Sequence, residues 1–178
     1  MSGVAPIERG DCVRAFPALV ASPSSSLPRS DGNLRRVLCI DHDAVSRQIL
    51  ITALARPGFA IECVCDGQQA FERYMREAGG FDVLVTDHFL PRLDGLMLVR
   101  RLRECGFGGG FVVVSDSMNS RDRAAYRSFG VASIFTKPIE PVLLRAAVAA
   151  AVSALPRDRS MICAAKASRS PFSNHTSL

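Results

Sequence analysis

Val37-Leu38-Cys39-Ile40-Asp41 is a four-residue apolar run stopped by an acid, and its reading decides the fold. A run this short, with no polar alternation, suits a strand covered on both faces, as in a parallel sheet. Similar runs recur at residues 60–65, 83–86, 111–115 and 133–136, each bounded by Gly, Pro or Asp. Between them lie helical patterns. Val45, Ile49 and Ala53 repeat at four until Pro57-Gly58, and Ala70, Phe71, Tyr74, Met75 and Ala78 form a stripe ended by Gly79-Gly80. Leu98, Leu102 and Cys105 follow Asp94 as a cap, with Arg100, Arg101 and Arg103 lying away from that stripe. Ser120 is read as the cap of a fourth helix closing at Gly130. Pro141 opens an Ala-rich fifth helix with Leu144, Val148 and Val152 on one side. Five βα units predict an α/β, doubly wound, five-stranded parallel sheet with five helices in a single domain.

Composition agrees. The chain has 178 residues, 48% hydrophobic and 22% charged, which predicts one globular domain with tails and excludes collagen-like, coiled-coil and wholly disordered chains. No apolar run reaches the ~18 residues needed to span a bilayer. Residues 1–34 hold Pro6, Pro17, Pro23, Pro28 and Ser24-Ser25-Ser26 and read as a flexible leader. The apolar stretch from Ala15 to Ala21 is broken by Pro17 and preceded by Glu8, Asp11 and Arg14, so no secretory signal is expected. Residues 35–155 form the ordered domain. Residues 156–178 read as a disordered, basic, Ser-rich tail, in which Arg157, Arg159, Lys166 and Arg169 carry most of the net charge of +5. The cysteines (12, 39, 63, 65, 105 and 163) show no C-x-x-C pair and no histidine at zinc spacing, so free thiols in a reducing cytoplasm are expected. Cys63 and Cys65 are two apart on a strand and share a face, read as plain burial.

Doubly wound folds bind ligands beyond the C-terminal strand ends, so those ends are where function is sought. The first run ends in Asp41-His42-Asp43, the third in Asp87, the fourth in Ser115-Asp116 and the fifth in Lys137-Pro138. Each alone has a dull explanation, such as a cap, a loop residue or a solvated charge. Together they place carboxylates, a hydroxyl and an ammonium on one rim. Lys137 and Lys166 are the only lysines in an arginine-rich chain. A lysine kept at this position points to a compact, mobile charge that reaches a carboxylate or one phosphoryl oxygen.

These residues, with Phe81-Asp82-Val83-Leu84-Val85-Thr86-Asp87, Pro91, Asp94-Gly95, Val112-Val113-Val114-Ser115 and Thr136-Lys137-Pro138, resemble the receiver domain of two-component response regulators. The resemblance implies the flavodoxin-like receiver fold. It makes Asp87 the acceptor of a phosphoryl group from a phosphohistidine on a histidine kinase or histidine phosphotransfer protein. Mg²⁺ would be held by Asp41, Asp87 and the backbone carbonyl of Phe89. Ser115 would hydrogen-bond a phosphoryl oxygen, and Lys137 would pair first with the acids and then with the phosphate. Oxygen-only ligands suit Mg²⁺, and phosphoryl transfer needs such charge neutralisation.

Two positions depart from the family pattern. His42 stands where receivers usually carry a second acid; imidazole is a poor ligand for hard Mg²⁺, so weak Mg²⁺ binding and slow or absent phosphorylation are expected, with His42 an alternative ligand for a softer metal. Asp43 is expected to enter the helix rather than take over that role. Ile134 stands where many receivers place a switch aromatic, with Phe135 pointing to the opposite face. Both lie on the face formed in receivers by the fourth helix, fifth strand and fifth helix, which is the implied partner surface and a possible homodimer contact.

Only 22 residues follow Pro156, too few for an output domain, so the leading expectation is a stand-alone receiver signalling by protein contact, with no nucleic acid bound by its core. A degenerate receiver working without phosphorylation is the alternative. Asp41-His42-Asp43-Ala44-Val45 also resembles the first motif of haloacid-dehalogenase-type phosphatases, with Asp41 as nucleophile and Asp43 as general acid. That reading lacks the acidic pair expected after the lysine and leaves Asp87 without a role. Gly106-Phe107-Gly108-Gly109-Gly110 precedes a strand instead of joining strand to helix, so it is a connection and not a phosphate loop.

Overall fold

Apolar runs too short for helices and too uniform for a one-sided sheet form five parallel strands in the computed structural model, which describes residues 34–77 and 80–155. In chain order these are β1 (Arg35–Ile40), α1 (Ala44–Leu54), β2 (Phe59–Val64), α2 (Gly67–Arg76), β3 (Val83–Thr86), α3 (Gly95–Glu104), β4 (Gly110–Ser115), α4 (Ser120–Ser128), β5 (Ser133–Thr136) and α5 (Pro141–Ser153). The sheet order is β2-β1-β3-β4-β5. The fold is therefore the expected doubly wound, flavodoxin-like one, with winding that reverses between β1 and β3. The proposed leader 1–34, apart from Leu34, and the tail 156–178 lie outside the described residues, as do Ala78 and Gly79.

Strand side chains alternate between two faces, and both faces are apolar. Leu38, Ile40, Leu84, Phe111 and Val113 join Ala70 and Tyr74 of α2, Leu98, Val99 and Leu102 of α3, and Tyr126 of α4 in one core. Val37, Cys39, Val83, Val85, Val112 and Val114 join Leu50, Ala53 and Leu54 of α1 and Leu144, Ala147 and Val148 of α5 in the other. Each fully buried side chain of this kind contributes about 1.5–3 kcal/mol. In register, Ile40 lies beside Val64 on one side and Thr86 on the other, while Thr86 pairs with Val113 and Ser115 with Thr136.

Several local expectations are corrected. Val45 and Ile49 are exposed, while Ala53 is buried as expected, together with Leu50 and Leu54. Two overlapping spacings of four exist in that helix, and the sheet accepts the one that carries both leucines along with Ala53 of the other. Met75 is likewise exposed, whereas Ala70 and Tyr74 are buried. The α4 cap is Asn119, whose side chain accepts from the Asp122 N–H, and Ser120 is the first helical residue. Asp94 caps α3 as expected, accepting from the Met97 N–H at 2.8 Å. Cys39, Cys63, Cys65 and Cys105 are in no disulfide, and Cys39 and Cys63 are register partners on β1 and β2. Cys65 falls just beyond β2. Among the described residues no helix is long and apolar enough to cross a membrane.

Candidate functional site

The chain leaves β1 and β3 side by side, and the acids that end these strands are forced together. The Asp87 N–H donates to the Ile40 carbonyl at 2.9 Å, continuing the β1–β3 ladder by one step. Asp41 and Asp87 are both buried, at 1% exposure. Lys137 comes from the far edge of the sheet, where its N–H donates to the Ser115 carbonyl at 2.9 Å. The Lys137–Pro138 peptide bond is cis. The Lys137 ammonium reaches Asp41 Oδ2 and Asp87 Oδ2, at 2.7 Å each. Burial pulls the Lys137 amine down, but its bonds to the Asp41 and Asp87 carboxylates outweigh that and hold it above the usual lysine value.

The remaining carboxylate oxygens are also engaged. Asp41 Oδ1 accepts from the Asp43 N–H at 2.9 Å, and Asp87 Oδ1 from the Phe89 N–H at 3.2 Å. Asp43 caps α1, accepting from the Ser46 N–H at 2.6 Å, so it serves the helix and not the pocket. This capping also removes the group that a phosphatase reading needs as its general acid. Ser115 is buried at the end of β4 with its hydroxyl donating to the Ser117 carbonyl at 3.2 Å. Ile134 and Phe135 are half-buried; Ile134 packs on the α2–α3–α4 core and Phe135 on the α1–α5 core.

Asp41, His42 and Asp87 offer ligand atoms that all lie within 4.8 Å of one another, a group able to hold a metal ion. The carboxylates of Asp41 and Asp87 are hard oxygen donors that fit a divalent cation such as Mg²⁺. The His42 imidazole does not fit that preference.

Sequence reasoning missed a second group of residues beside this pocket. His88 directly follows Asp87 and is 9% exposed. Its Nδ1 lies 3.1 Å from the Tyr126 hydroxyl and its Nε2 lies 3.3 Å from Asp122 Oδ2. Asp122 and Tyr126 are four apart on α4 and face the Asp87 loop together. The legible signals were a histidine adjoining the acceptor position and a tyrosine in an otherwise polar helix. Burial, followed by the charges of Asp94, Asp87 and Asp122, pushes the Tyr126 phenol upward. Tyr126→Phe leaves a buried imidazole nitrogen without its partner and should cost about 1–2 kcal/mol in urea unfolding. Because the folded state holds the phenol proton more tightly than the unfolded chain, stability falls as pH rises beyond about 10. The Phe variant should show a shallower alkaline decline, and an unchanged slope would place the hydroxyl in water.

Comparison with known proteins agrees with this geometry. A family model described as the response regulator receiver domain matches residues 37–149. The transcriptional regulatory protein TrcR of Mycobacterium tuberculosis is 33% identical over 110 residues, covering 62% of this chain and 42% of its own length. The response regulator MprA of Mycobacterium leprae is 33% identical over 112 residues, covering 62% of this chain and 48% of its own. The chain thus spans less than half the length of these curated relatives. Solved structures show the same fold: a receiver domain from Clostridium thermocellum superposes with a TM-score of 0.62 at 18% identity, covering 67% of this chain and 95% of that one. A receiver protein from Pseudomonas putida gives 0.59 at 23%, with coverages of 66% and 97%. A sheet whose strand ends bring two acids to one lysine, and a family match over most of its described length, lead to one conclusion: this chain belongs to the response regulator receiver domain family, a family of signalling domains and not of enzymes.

Proposed function

We propose that Asp87 accepts a phosphoryl group from the phosphohistidine of a histidine kinase or phosphotransfer protein in the cytoplasm, and that the receiver passes the signal on by protein contact. The observation that carries this reading is the single ammonium of Lys137, 2.7 Å from both Asp41 Oδ2 and Asp87 Oδ2. In the transfer, an Asp87 carboxylate oxygen forms the new O–P bond as the N–P bond of the donor breaks. The electron pair stays on the donor imidazole, which takes up a proton from water. Asp87 is held for this attack by the Phe89 N–H and by Lys137, so little side-chain ordering remains to be done. Lys137 would offset the charge that accumulates on the phosphoryl oxygens. A divalent cation bound between Asp41 and Asp87 would neutralise further phosphoryl charge. Ser115 would donate to the acyl phosphate once its hydroxyl leaves the Ser117 carbonyl.

A second reading, a receiver that works without phosphorylation, is favoured by His42 in place of an acid and by Ile134, an aliphatic side chain packed on the core. One experiment separates the two. The chain is incubated with acetyl phosphate or phosphoramidate and Mg²⁺, Mn²⁺ or Co²⁺, and intact mass is measured. A labile phosphoryl adduct absent from Asp87→Asn supports the acceptor reading. An adduct that persists in Asp87→Asn, or none with any cation, overturns it.

A further inference from the structure

We infer that the pocket favours late first-row divalent cations of the Zn²⁺ and Co²⁺ class over Mg²⁺, because His42 presents an imidazole nitrogen where two carboxylates converge. The inference rests on the reading of the Asp41–Asp87 pocket as the cation site. His42 Nδ1 lies 3.9 Å from Asp41 Oδ1 and 3.9 Å from Asp87 Oδ2. Ligands on a metal with bonds of about 2.1 Å sit about 3 Å apart when adjacent and about 4.2 Å apart when opposite. Only one of the two oxygens can lie opposite the nitrogen, so a single ion takes all three ligands once the half-exposed ring of His42 closes on the other oxygen by about 1 Å.

Charge and donor type point the same way. Asp41 and Asp87 bring two buried negative charges, Lys137 lies 2.7 Å from both and 3.9 Å from the exposed carboxylate of Asp116, and Asp43 is committed to capping α1. A hard cation, held by charge and oxygen donors, gains less where Lys137 already occupies one oxygen of each buried carboxylate. A borderline cation gains a metal–nitrogen bond that does not depend on that charge. Each carboxylate oxygen that already accepts one hydrogen bond retains a second acceptor direction, so the existing network leaves room for coordination. Imidazole also has a bland use, as a solvated side chain beside an acidic rim. The two uses differ in what the removal of His42 does to selectivity.

The test is an equilibrium titration of the full chain with CoCl₂, ZnCl₂ and MgCl₂ separately, following heat and, for Co²⁺, the visible ligand-field bands. Asp41→Asn serves as the pocket control and should lower affinity for all three ions. His42→Ala should weaken Co²⁺ and Zn²⁺ by on the order of tenfold or more while leaving Mg²⁺ nearly unchanged. His42→Asp should tighten Mg²⁺ and shrink the Co²⁺-to-Mg²⁺ ratio. The inference is overturned if that ratio is the same in His42→Ala as in the native chain. It is also overturned by a strong near-ultraviolet thiolate-to-cobalt band, which would put the ion on cysteine. A selectivity independent of His42 alongside a normal Asp87 adduct sinks this inference and leaves the acceptor reading standing. Loss of the adduct with every cation, with His42-dependent binding intact, does the reverse.

Discussion

Lys137→Met should lose about 3 kcal/mol or more of folding stability at neutral pH, a large fraction of what a domain of this size possesses. Asp41 and Asp87 have essentially no exposed side-chain surface, and one ammonium bonds an oxygen of each. Methionine fills the lysine's space but leaves two buried carboxylates facing each other without a counter-charge. Breaking a buried pair from one side is costlier than never having built it. The double variant Lys137→Met/Asp41→Asn should recover part of the loss, because it removes one of the two opposed charges. Urea unfolding of the single and double variants checks this. A loss below about 0.5 kcal/mol for the single variant would mean that the three side chains are hydrated in solution like an ordinary surface ion pair.

The second large effect belongs to a residue with no side chain. Gly95 opens α3, and its N–H donates to the His88 carbonyl at 2.9 Å. A Cβ placed there would lie 2.1 Å from the Asp87 carbonyl oxygen and 2.8 Å from the Tyr126 hydroxyl. The first of these contacts is with backbone, which cannot swing aside. Gly95→Ala is therefore expected to destabilise the domain by about 2–3 kcal/mol or more and to displace the loop carrying Asp87 and His88. Thermal unfolding should show the loss, and cation affinity at Asp41 and Asp87 should fall with it. Full affinity in a destabilised variant would show that α3 moved while the Asp87 loop stayed in place.

Both effects bear on what the sequence discloses. The convergence of residues 41, 87 and 137 could be read because each directly follows a strand, and parallel strands end on one edge. Asp94-Gly95 could be recognised as part of a motif, yet the reason for the glycine is the approach of Asp87 and Tyr126, 8 residues before it and 31 after it. The inward face of α1 was not readable. Val45 and Ile49 form one spacing of four and Leu50 and Leu54 another, and only the packing on the sheet chooses between them. His88 and Tyr126 meet across 38 positions, a contact that no local pattern announces. Ser115 reaches the predicted strand end, but its hydroxyl is turned to the Ser117 carbonyl, a rotamer that the sequence does not encode.

The burial of β1 and β3 on both sides has a consequence for how the chain finds its alignment. A strand with one wet side is kept from slipping because a slip of one place would wet its apolar half. β1 and β3 lack that safeguard, since Val37, Leu38, Cys39 and Ile40 are equally dry whichever way they point. What forbids sliding is the acid after each last residue. Moved one place inward, Asp41 or Asp87 would be drawn between hydrocarbon layers and lose the ammonium that neutralises it. The acidic pocket is thus also the end-stop against which the middle of the sheet is aligned.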